Sequence, residues 1–183
     1  MKGYHYIKRG IDIILSGMAI VILSPLLLFL CIAIKLDTPG PILFKQKRVG
    51  IHRSFFQIYK FRTMRIDTPK DVPTHMLENP EQYITKVGKF LRKTSLDELP
   101  QIFNIFKGEM SIVGPRPALW NQDDLVAERE KYGANDVTPG LTGWAQINGR
   151  DELEIPDKAR LDGEYVKHLG PWMDLKCFLG TIG

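Results

Sequence analysis

Cysteine is scarce in this 183-residue chain. Cys31 and Cys177 both sit in apolar stretches, so the sequence carries neither a disulfide framework nor a cysteine zinc site. Histidine is little commoner: His5, His52, His75 and His168 are scattered without metal-ligand spacing. A P-loop, a G-x-G-x-x-G turn, an HExxH helix and internal repeats are all missing. Walker-type and Rossmann nucleotide binding and zincin chemistry are therefore set aside. Charge is missing altogether from residues 13–34, IILSGMAIVILSPLLLFLCIAI, a run of 22 positions.

As a straight helix that run spans about 33 Å, enough for a hydrocarbon core of about 30 Å. A cleaved signal peptide fits poorly, because the run is long and ends on Lys35 rather than at a small-residue cleavage site. Membrane insertion is the expectation. Basic residues lie on both flanks, Lys2, Lys8 and Arg9 before it and Lys35, Lys45, Lys47 and Arg48 after it. The positive-inside rule keeps both flanks cytoplasmic, which one straight span cannot do. Ser24-Pro25 divides the run in the middle. Proline deletes a backbone donor, and the serine hydroxyl can satisfy the freed carbonyl inside lipid. Two readings stand: a re-entrant helix–break–helix over 1–36, which the charge placement favours, and an ordinary Pro-kinked span.

What is present beyond residue 36 is globular: the chain as a whole is 44% apolar and 25% charged. Net charge is +4, but residues 35–70 hold nine Lys/Arg against Asp37 and Asp67. That concentration points to phosphate groups, anionic lipid or nucleic acid. The runs 42–48 and 54–64 predict a β-hairpin whose polar positions are basic, among them Lys60 and Arg62. Lysines on such an edge also serve to discourage aggregation. Apolar spacing predicts a helix over 84–95 and a second from Ser95 to a stop at Gly108. A short strand then leads to Arg116 between two prolines, a rigid mount suited to bidentate phosphate binding. Residues 120–133 predict a charged helix and 137–150 a turn-rich strand region. The last stretch begins as an amphipathic helix and becomes apolar around Trp172 and Lys176, as interfacial segments do. The fold class expected is a small, helix-rich α/β (α+β) domain over 37–183 with a short hairpin, anchored by the N-terminal segment. Because the chain stops inside an apolar pattern, a native C-terminus extending past Gly183 is also compatible.

The stretch TSLDELPQ, residues 94–101, places Asp97 and Glu98 side by side. Ser95 with Glu98 fits a capping box, and acidic residues suit a first helical turn. The same start is an anion site where a carboxylate can do chemistry, so these residues alone leave decoration and catalysis both open.

SPLLL in the apolar segment, KFRTM, RKTSLDELPQIFNIFKGEMSIVGPRP and PGLTGWAQINGR together resemble the bacterial sugar transferase family, the monotopic phosphoglycosyl transferases, from about Lys8 to Leu179. The resemblance implies transfer of sugar-1-phosphate from a UDP-sugar, often N-acetylated, to undecaprenyl phosphate with release of UMP. It implies a re-entrant helix broken at Ser24-Pro25, on the cytoplasmic face of the bacterial inner membrane, and downstream glycosyltransferases as pathway partners. It assigns Asp97 as nucleophile, forming an aspartyl phosphosugar, and Glu98 as the carboxylate that holds Mg²⁺ or orients the site, with Asp97 a further metal ligand. Charge neutralisation of a diphosphate then gives Lys60, Arg62, Arg92 and Arg116 the task of phosphate clamps. Arg150 and Asp162 are weaker candidates for nucleotide, sugar or metal. Against this stand a catalytically silent membrane scaffold binding anionic lipid and a diphosphate hydrolase using the same aspartate. A nucleic-acid binder leaves the apolar N-terminus without a purpose, and no nucleic-acid partner is expected.

Overall fold

A computed structural model describes residues 2–69, 76–149 and 152–182. Helix α1 (Lys2–Asp37) is followed by β1 (Leu43–Val49), β2 (Phe55–Phe61), α2 (Lys86–Thr94), α3 (Gln101–Lys107), β3 (Ser111–Val113) and α4 (Asp123–Glu130). Then come β4 (Gly140–Thr142), α5 (Trp144–Ile147), α6 (Ile155–Lys167) and α7 (Pro171–Ile182). β1 and β2 form an antiparallel hairpin, and β3 and β4 a short parallel pair. This is the helix-rich mixed domain the sequence predicts.

α1 departs from the two-helix expectation: one helix runs unbroken through Ser24-Pro25. A proline at 25 removes the N–H that bonds the carbonyl of Val21. The Ser24 hydroxyl donates to that same carbonyl at 2.8 Å, so the loss is made good and the helix continues. α1 is long and apolar enough to cross a membrane, and most of its large apolar side chains are exposed, among them Ile14, Val21, Ile22, Leu28 and Phe29.

Yet both ends of α1 are fastened to one body. Near the start, Arg9 donates to the carbonyls of Ile105 and Phe106, both at 2.6 Å, at the end of α3. Buried Asp12 accepts from the Ser111 hydroxyl at 2.7 Å and the Ile112 N–H at 3.0 Å on β3, and Lys8 and Tyr4 bond Asp174 of α7. Toward the other end, Leu30 and Ile34 pack with Phe61 and Leu91, and Asp37 accepts from the Val87 N–H at 3.0 Å.

Two close approaches need glycine. A Cβ on Gly88 of α2 falls 2.1 Å from the carbonyl oxygen of Thr63, and one on Gly140 falls 2.0 Å from the Gly114 nitrogen. The second contact locks β4 behind the Gly114–Pro117 turn, where Gly140 donates to the Pro115 carbonyl at 2.9 Å. At the far end of the chain, α7 exposes Trp172, Phe178, Leu179 and Ile182, with Lys176 5.7 Å from the Trp172 ring.

Candidate active site

α2 begins with Thr85, whose hydroxyl accepts from the Gly88 N–H at 2.8 Å, and ends at Ser95 in the left-handed region (φ 57°). Leu96–Glu98 then form a single 3₁₀ turn, and α3 starts only after Pro100. The helix expected to begin at Ser95 is thus displaced, and the capping box does not form: Ser95 makes no side-chain cap bond. Glu98 goes to charged partners instead of a backbone N–H. Its Oε1 accepts from Lys60 Nζ at 2.9 Å and lies 3.4 Å from Arg116 Nη2. Charge-assisted pairs of this kind outbid a neutral cap.

The partners come from separate elements. Alternation along the hairpin register puts Lys60 on the same face as Gln46 and Arg48. Arg116 stands on the proline-flanked turn after β3. Arg48 reaches that turn too, donating to the Pro117 carbonyl at 3.0 Å and to Gln46 Oε1 at 2.7 Å. Burial and the neighbouring Arg116 push the Arg48 pKa down to about 10, against the pull of Glu98. Arg48 is a site residue that sequence reasoning passed over; its parity with Lys60 was the available signal. Arg92, at the end of α2, donates to the Thr63 hydroxyl at 2.8 Å and acts electrostatically on Asp97.

The two carboxylates respond in opposite ways. Burial raises the Asp97 pKa, Glu98 adds to the rise, and Lys60 and Arg92 only partly offset it. At Glu98 burial also pushes upward, but Lys60 and Arg116 outweigh it and hold the carboxyl below its ordinary range. Among the described residues Asp97 makes no salt bridge or side-chain hydrogen bond with another residue, and its own backbone N–H pulls its pKa downward without cancelling the rise. A half-buried, unpaired carboxylate beside a cationic cluster can receive a phosphoryl group.

Lys60, Arg92 and Arg116 therefore converge on the carboxylates, and two other expected residues do not. Arg62 is buried and spends its guanidinium on the segment after α1: Nε to the Pro41 carbonyl at 2.6 Å, Nη1 and Nη2 to the Thr38 hydroxyl and carbonyl at 2.8 Å each. It holds that connection in place, with a donor of each guanidinium nitrogen committed there. Asp162 is 1% exposed and paired with Arg129 at 2.7 Å, joining α6 to α4. The pair ties α6 to α4 away from the hydrogen bonds that gather around Glu98. Arg150 lies outside the described residues.

No cluster of three or more metal-binding side chains occurs among the described residues. Mg²⁺ does not demand one, since one or two carboxylates plus substrate phosphates suffice. The unpaired oxygens of Asp97 and the adjacent Glu98 fit that requirement, with Asp97 the freer of the two.

The family model described as Bacterial sugar transferase matches residues 3–183. Over 189 residues the chain is 40% identical to a UDP-glucose:undecaprenyl-phosphate glucose-1-phosphate transferase of Escherichia coli (strain K12), covering 96% of this chain and 39% of that protein. It is 38% identical to a UDP-N-acetylgalactosamine-undecaprenyl-phosphate N-acetylgalactosaminephosphotransferase of Aeromonas hydrophila, covering 98% and 43%. It is 41% identical to a UDP-glucose:undecaprenyl-phosphate glucose-1-phosphate transferase of Caulobacter vibrioides, covering 96% and 68%. The chain thus spans about two fifths of the length of the first two relatives.

Proposed function

The chain belongs to the bacterial sugar transferase family, and from that footing we propose that it transfers sugar-1-phosphate from a UDP-sugar to undecaprenyl phosphate, the first membrane step of a glycan pathway. The observation that carries the reading is the unpaired, half-buried Asp97 beside a Glu98 already clamped by Lys60 and Arg116.

An Asp97 oxygen attacks the sugar-bearing phosphorus, and the bond from that phosphorus to the bridging oxygen breaks, UMP leaving with the electron pair. The result is an aspartyl phosphosugar. An oxygen of undecaprenyl phosphate then attacks the same phosphorus and the Asp97 carboxylate leaves, restored for the next turnover. Lys60, Arg92 and Arg116 neutralise the diphosphate, which otherwise repels an attacking carboxylate. Arg48, against the Arg116 turn, holds that turn at its working distance. Asp97 and Glu98 would hold Mg²⁺, and the ion would supply further neutralisation of the diphosphate charge.

The membrane reading is monotopic. Residues 1–36 enter the cytoplasmic leaflet and both ends remain with the catalytic body over 37–183, on the inner-membrane face. It is supported by the attachment of α1 to that body near both ends, at Asp12 with β3 and at Asp37 with α2. The exposed apolar face of α7 rests at the lipid interface, and the lipid-linked product passes to glycosyltransferases.

The relatives act on different sugars by name, glucose and N-acetylgalactosamine, so the test needs plain and N-acetylated donors. Purified protein is incubated with Mg²⁺, undecaprenyl phosphate and a panel of UDP-sugars, and UMP release is measured. Release from at least one donor is expected from the wild type and none from Asp97→Asn, with a phosphosugar trapped on Asp97 when acceptor is withheld. No UMP from any donor returns the scaffold reading to the front; discharge of a trapped phosphosugar to water alone favours a hydrolase.

A further inference from the structure

Thr63 is buried two residues past the end of β2, close behind Lys60 in the chain. α2 lies directly on it. The Thr63 carbonyl accepts from the N–H of Thr85, the N-cap of α2, at 3.0 Å. A Cβ on Gly88 falls 2.7 Å from the Thr63 Cα, so helix and residue meet backbone to backbone. One turn further along the same face of α2 stands Arg92, and its Nε donates to the Thr63 hydroxyl at 2.8 Å. Thr63 is held by the start of α2, and holds the side chain at its end.

The outer edge of that guanidinium is spare. Among the described residues Arg92 uses Nε alone, and neither Nη1 nor Nη2 has a hydrogen-bond or ion-pair partner. Lys60 and Arg116 differ, since each already gives a donor to Glu98. The backbone sets where the spare edge stands. The Arg92 carbonyl accepts from the Ser95 N–H at 3.3 Å, and from Ser95 the Leu96–Glu98 turn begins. The charge of Arg92 is felt at Asp97, though no ion pair joins them. A guanidinium is planar, so a bond to its inner nitrogen restricts the heading of the two outer ones.

We propose that Thr63 is a positioning residue for the transfer: by accepting from Nε it holds the Arg92 guanidinium so that both Nη groups meet the non-bridging oxygens of the phosphoryl group bound beside Asp97. The inference rests on the transferase reading above. Thr63 touches no substrate and acts through Arg92 alone. A free arginine spreads over many rotamers and must be ordered each time substrate binds. One already tied at Nε loses less, and its paired outer donors match two phosphoryl oxygens.

The test is Thr63→Val, which keeps shape and burial and loses the acceptor. kcat/KM for UMP release is expected to fall about 10-fold as the fork loses its orientation. The carbonyl bond to Thr85 and the contact with Gly88 remain, so Tm is expected to move by no more than about 4 °C. Thr63→Ser restores the hydroxyl and is expected to bring kcat/KM back to within about twofold of wild type. In an Arg92→Lys background a point charge replaces the fork, and there Thr63→Val is expected to cost less than about twofold more. Wild-type kcat/KM in Thr63→Val overturns the proposal. So does a loss that Thr63→Ser fails to restore, or one repeated in full on Arg92→Lys, since either marks packing and not the guanidinium. If wild type releases UMP and Asp97→Asn does not, those outcomes strike the Thr63 assignment alone. If wild type releases none from any donor, the transferase reading fails and this one with it.

Discussion

Adjacent carboxylates ordinarily share an environment; Asp97 and Glu98 do not, because one is paired and the other is not. Burial raises the Asp97 pKa, so the ionised form is the costly one in the fold. Its contribution to stability is present at low pH and lost as pH rises through the raised folded value. Asp97→Asn is therefore expected to raise Tm at neutral pH while abolishing UMP release, read by thermal unfolding alongside the assay. At Glu98, Lys60 and Arg116 overcome burial and lower the pKa. That contribution is present above the ordinary glutamate range and lost as pH falls through the lowered value. Glu98→Gln is expected to cost about 1–3 kcal/mol at neutral pH, between exposed and buried ion pairs, with the difference closing in acid. It also removes a like charge beside Asp97. Any residual turnover should then carry its acidic limb to lower pH, and an unmoved limb counts against Asp97 as the group that must ionise.

At the scale of elements, the hairpin was legible because aromatic and β-branched runs flank a turn, and the stop at Gly108 because glycine adopts the φ of 91° found there. The start of α3 was not. Ser95-x-x-Glu98 satisfies the local capping rule, but Lys60 and Arg116 approach from distant parts of the chain and offer Glu98 a stronger bond. Arg62 misled for a related reason. Its alternation with Lys60 reads as one basic face, yet the strand ends at Phe61, and Arg62, one residue past it, turns to the connection after α1. For α1 itself, Asp12→Ala is expected to lower stability by about 1–3 kcal/mol. It leaves the Ile112 N–H and Ser111 hydroxyl without an acceptor. Thermal unfolding in detergent checks this, and an unchanged Tm means that α1 is not fastened to β3 there.

For the whole molecule, the question is on which side of the membrane each end of α1 lies. Attachment of both ends to one body supports the same side, whereas a straight span separates them. Gly3→Cys, made in a chain lacking Cys31 and Cys177, reports the answer, since no side chain crowds Gly3. Labelling by an impermeant maleimide is expected in inside-out vesicles and not in right-side-out ones. The reverse pattern means that α1 crosses.

The sequence by itself determined the long apolar segment, the hairpin, the presence of paired carboxylates and the proline-held arginine, because these rest on local composition and on the family resemblance. Tertiary structure alone decided which carboxylate is free and which is clamped, and that Arg48 belongs to the cluster while Arg62 and Asp162 do not. The physical reason is the same in each case. Hydrogen bonding and desolvation depend on which groups meet across 18 to 69 positions of chain, and local pattern carries no record of that.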